Sequence, residues 1–103
     1  MSEIISVRAV MIHNLVQNGM FEEQANKVME NVESHSEDLK GTWALDSMHD
    51  NWNKDAFGYP HMILQLAWRH VQRMAVKWTE DNAPEAWFLP VLKEKSPVLL
   101  PAN

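Results

Sequence analysis

A chain of 103 residues with 46% hydrophobic content is sized for one core, so one compact domain is expected and neither a second domain nor intrinsic disorder is needed to account for it. It contains no cysteine, and that removes disulfides, thiolate zinc sites, iron–sulfur clusters and thiol nucleophiles together. The net charge of −5 is concentrated between Glu22 and Asp55, where nine carboxylates face Lys27, Lys40 and Lys54; from Pro60 onward Arg69, Arg73, Lys77, Lys93 and Lys95 are offset by four acids, so there is no basic stripe and direct nucleic-acid binding is not expected.

The first element is a helix over about residues 3–17, in which Ile4, Val7, Ala9, Met11, Ile12, Leu15 and Val16 form a broad apolar face. Asn18-Gly19 closes it, because glycine enters the left-handed conformation without a Cβ clash. A second helix follows over about 21–34, with Phe21, Ala25, Val28, Met29 and Val32 on one stripe and Glu22 and Glu23 in the first turn, where the helix dipole favours them. So short a link predicts an antiparallel hairpin. Residues 35–60 are too many for an empty loop; Trp43, Leu45, Met48 and Trp52 approximate helical spacing, which predicts a short helix near 43–53 between Gly41 and Gly58.

The strongest signal is Pro60 to Asn82, a six-turn amphipathic helix. Ile63, Leu66, Ala67, His70, Val71, Met74 and Trp78 fall on the face expected to be buried, and Gln65, Arg69, Gln72, Arg73 and Lys77 on the face expected to be solvated. Trp78, Met74 and Ala67 are expected to meet Leu15, Met11, Val28 and Val32. A short terminal helix is expected to start at Pro84 and break at Pro90, with Trp87 and Phe88 docked on the bundle. Together these elements predict an all-α fold, a small helical bundle of three main helices plus one or two short helices, organised as a single domain over 1–95 with an extended C-terminal tail over 96–103.

The helix, the Gly19-Met20-Phe21 turn and the following EEQANKVMENV are similar to the first two helices of a ubiquitin-associated domain, whose loop carries a Met-Gly-Phe-type signature. The order here is Gly-Met-Phe, and no short third helix ending in leucines follows, so the resemblance over about 30 residues implies a packing of two helices and nothing about a ligand. More of the chain, through the same turn, Tyr59-Pro60, the helix with Ala75, Lys77 and Trp78, and Pro84-Glu85-Ala86-Trp87-Phe88, resembles small uncharacterised helical proteins encoded by phages and prophages. That resemblance implies a phage accessory protein and carries over no mechanism and no site residue.

Chemistry-bearing motifs are sparse. His49 beside Asp46 and Asp50 has hard-ligand character, but the spacing is equally that of a helix cap with solvated neighbours, and no His-Glu-x-x-His pair exists, so neither metal nor cofactor is expected. His70 and His13 sit on apolar faces, where a histidine bonded to a backbone carbonyl is the ordinary case. No serine lies in a Gly-x-Ser-x-Gly elbow and the three glycines are isolated, which leaves no phosphate loop; an enzyme is not expected.

The expected function is therefore binding: a phage-encoded protein that binds and modulates a host protein, for instance a defence or regulatory factor, in the host cytoplasm. The candidate partner-binding residues are Trp43, Asp46, His49, Asp50, Trp52 and Tyr59, because this acidic segment carries tryptophans outside the three periodic helices. The alternatives are a small-ligand binder, such as a nucleotide-sequestering protein using Trp43, Trp52 and Arg69 or Arg73, and a metal-dependent hydrolase built on His49. No apolar run is long enough to span a bilayer and no export signal is seen, so no membrane partner is expected; homodimerisation is left open.

Overall fold

Ser6 sets where the first helix begins. Its backbone is extended, and its hydroxyl accepts from the Ala9 N–H at 3.2 Å, so one of the free donors of the first turn is satisfied. The computed structural model describes residues 4–40, 42–44 and 62–101. Within them, helix α1 spans Val7–Gln17, and Ile4–Ser6 form strand β1, paired antiparallel with strand β2, Thr42–Ala44. The expected helix from residue 3 is thus corrected: two β-branched isoleucines find a partner strand, and Ser6 caps what remains.

The end of α1 follows the glycine signal. Gly19, at φ +117°, directs its N–H to the Val16 carbonyl at 2.9 Å, and the Met20 N–H reaches the Leu15 carbonyl at 3.1 Å. This paired closure is the Schellman arrangement, and both Met20 and Leu15 are buried in the same core. Helix α2, Glu22–His35, then buries Ala25, Val28, Met29 and Val32 as the stripe predicts. Phe21 departs from that stripe: as the residue before the helix it is 74% exposed, while its N–H is held by the Gln24 side chain at 3.1 Å. The Arg8 guanidinium bonds both Glu33 and Asn26 Oδ1, joining the first turn of α1 to the middle and the last turn of α2. One turn of 3-10 helix, Glu37–Leu39, ends this half and buries Leu39.

Helix α3, Met62–Asn82, packs across the hairpin with Leu64, Ala67, Trp68, Val71 and Ala75 buried. The observed face is rotated by roughly 100°, one residue step, from the predicted one. Leu66 is 58% exposed, Met74 and Trp78 are half-buried against the core, and Gln65 and Gln72 are buried instead. The reason lies in the C-terminal segment. After the turns at 84–88, helix α4, Leu89–Lys93, inserts Leu92 into the core beside Phe88; Pro90 lies in its first turn and starts the helix rather than ending it, because the absent N–H would have had no partner there. Residues beyond α4 then run along α3. Gln72 donates to the Glu94 carbonyl, Gln65 donates to the Ser96 carbonyl at 3.0 Å and accepts from the Val98 N–H at 2.7 Å, and the Trp68 indole donates to Ser96 Oγ at 3.1 Å.

The result is a small all-α bundle of four helices among the described residues, three of them long, with one short antiparallel ladder. No helix of the described residues is long and apolar enough to cross a membrane.

Candidate functional site

The two most exposed aromatic side chains among the described residues, Phe21 and Trp87, lie at or against the turn that joins α1 to α2. Gly19 is the hinge of this surface for a steric reason as well as a conformational one: a Cβ on it would lie 2.7 Å from Phe88 Cβ and 2.7 Å from Trp87 Cζ2. The indole of Trp87 therefore lies over a bare stretch of backbone. Its neighbour Phe88 is buried, and the two rings meet edge to face with centroids 5.9 Å apart and an interplanar angle of 83°, an arrangement that fixes the indole against a rigid base. Trp87 nonetheless remains 73% exposed. The expectation that both aromatics dock on the bundle holds fully for Phe88, which is buried, whereas Trp87 rests against Gly19 and Phe88 with most of its surface exposed.

Phe21 stands two residues beyond Gly19 and is equally exposed, so two aromatic rings border one turn. Their neighbours along the chain include the carboxylates Glu22, Glu23 and Glu85, all exposed. An aromatic centre with an acidic rim is suited to a protein partner that presents an apolar pocket edged by cations.

Of the residues singled out from the sequence, Trp43 is placed in β2, where its backbone pairs with Ile5. The short helix expected near 43–53 is corrected at that position: Thr42–Ala44 are strand. Asp46, His49, Asp50, Trp52 and Tyr59 lie outside the described residues, as does the His49 metal-site expectation. Among the described residues no three of His, Asp and Glu come together. His13 and His70 are half-buried, and His35 closes α2, with Nδ1 2.9 Å from the Asn31 carbonyl. One buried group is unmatched: Thr79 Oγ1 has no hydrogen-bond partner among the described residues.

Arg69 and Arg73, expected on the solvated face of α3, are exposed. They do not stand alone there. With Lys93, Lys95 and Glu94 they line a cleft of about 370 Å3 floored by Leu92 and Val76. The tertiary fold thus gathers cations that are spread over 27 residues of a sequence without a basic stripe.

Comparison with protein-family models, with curated proteins and with solved structures finds no match to this chain.

Proposed function

We propose that the chain is a protein-binding accessory domain of phage type, which binds and modulates a host protein, and that Phe21 and Trp87 are its contact centre. The observation that carries this reading is the exposure of Trp87 on a rigid base, over Gly19 and edge-on to Phe88. Leaving an indole in water forgoes the burial that a small core would otherwise gain from so large a side chain, and tryptophan is the residue most enriched where binding energy concentrates. A preformed position also lowers the ordering cost of association. The phage part of the proposal rests on the sequence resemblance alone.

Photo-crosslinking from position 21 in host cells tests the reading. A discrete host adduct is expected, and binding of that protein should weaken by roughly thirtyfold or more in Phe21→Ser and in Trp87→Ser, the effect of losing one anchor of about 2 kcal/mol. Glu22→Gln with Glu23→Gln should slow association at low ionic strength and leave dissociation nearly unchanged. If the aromatic variants bind as wild type does while Trp52→Ala loses the partner, the contact surface is the segment from Trp43 to Tyr59 instead.

A further inference from the structure

We infer that the cleft between α3 and the α4–tail junction binds the polyphosphate group of a small molecule, of the nucleoside diphosphate class. The inference is independent of the protein-binding reading, because it rests on different residues in a different part of the molecule.

Four of the nine lysines and arginines in a chain of net charge −5 line this one cleft: Arg69 and Arg73, one turn apart on α3, Lys93 at the end of α4, and Lys95 two residues on. Glu94 is the single carboxylate among the lining residues. Among the described residues no carboxylate lies within 4.0 Å of Arg69, Arg73 or Lys95, and Lys93 has only Glu80, at 3.6 Å and half-exposed. Like charges held this close repel unless an anion sits between them.

The cations are also held from beneath. The Gln72 side chain donates to the Glu94 carbonyl, and Leu92 is buried, so the backbone that carries Lys93 and Lys95 is tied to the helix that carries the two arginines. Guanidinium groups recognise phosphate oxygens through paired donors, and lysines add compact charge. The volume of about 370 Å3 falls in the range of small-ligand clefts and is too small for a folded partner. The charge balance then selects the ligand. The lining carries four cations and one carboxylate; a phosphate ester carries roughly −1.5 to −2 at neutral pH, so one phosphate leaves the cleft positive, whereas two linked phosphates neutralise it. Val76 and the Arg69 stem offer an apolar wall for the organic part.

Calorimetric titration of the full chain with ADP, AMP, tripolyphosphate and hexaglutamate, at low and at physiological salt, tests the inference. ADP is expected to bind with one-to-one stoichiometry, more weakly at high salt, and AMP about tenfold more weakly than ADP. Tripolyphosphate should bind at the same site and compete with ADP. Arg69→Gln and Arg73→Gln should each weaken ADP by about tenfold or more, the loss of one charge-assisted contact, and Lys95→Gln gives a third reading outside the helix. Lys27→Gln, on the exposed side of α2, should leave ADP binding unchanged. Absence of ADP binding at millimolar concentration, equal binding by the arginine variants, or tighter binding of hexaglutamate than of ADP would overturn the assignment.

Discussion

The side-chain amide of Asn14 pairs with both backbone groups of Leu99, donating to its carbonyl at 2.8 Å and accepting from its N–H at 2.9 Å. An amide in the middle of α1 thereby reads the backbone of a residue 85 positions later in the manner of a β-bridge. The same nitrogen also donates to the Val10 carbonyl at 2.7 Å, and Asn14 is 1% exposed. Gln65 treats Ser96 and Val98 similarly, so two buried amides hold the C-terminal segment through its backbone groups.

Asn14→Ala is expected to lower stability by about 1–3 kcal/mol, the cost of leaving buried polar groups without partners, and to speed hydrogen exchange at the Leu99 amide. Asn14→Asp is expected to be worse at pH 7, because an ionised oxygen would face two carbonyls in a buried site. Burial favours the protonated acid in the folded state, so the unfolded chain releases its proton at lower pH than the folded chain does. The deficit relative to wild type should therefore widen as pH rises above about 3.9. Denaturant melts at several pH values check both outcomes.

Trp68, which is fully buried, anchors the core more firmly than the half-buried Trp78. Trp68→Ala should cost about 3–5 kcal/mol, enough to unfold a domain of ordinary stability, whereas Trp78→Ala should cost clearly less. Trp68→Phe isolates the indole donor to Ser96 Oγ and should cost about 1 kcal/mol beyond its change in volume. Equal midpoints for the two alanine variants in urea would contradict the observed rotation of α3.

Gly19→Ala combines a forbidden backbone angle with overlap against Phe88 and Trp87, and should destabilise by more than about 1 kcal/mol. Adding Trp87→Ala removes one of the two steric conflicts but not the angle. The double variant is therefore expected to recover part of the loss relative to additivity, a coupling that a double-mutant cycle measures. Strict additivity would show that the indole does not lie over Gly19.

Thr79→Val should be neutral or stabilising by up to about 1 kcal/mol, since it replaces a buried hydroxyl lacking a partner among the described residues with an isosteric methyl. A loss of stability in thermal melts would reveal that the hydroxyl is bonded after all.

By itself the sequence determined the all-α class, the hairpin and the position of the long helix, because these follow from local rules: the Gly19 closure, the Ala25–Val28–Met29–Val32 stripe, and the periodicity of residues 62–82. These signals depend on neighbours three or four residues away and need no knowledge of the rest of the chain. Tertiary structure decided what lies against each face. Gln65 and Gln72 are buried because Glu94 to Val98 cover one side of α3, and a segment held by its backbone leaves no hydrophobic pattern announcing where it will lie. The same holds for the candidate surfaces. Ile4–Ser6 became strand only because Thr42–Ala44 lie beside them, Trp87 stays outside only because Gly19 and Phe88 meet beneath it, and Arg69, Arg73, Lys93 and Lys95 form one cleft only because α4 folds back on α3. Each is a contact between residues distant in sequence, and hydropathy and charge read along a chain carry no record of such distances.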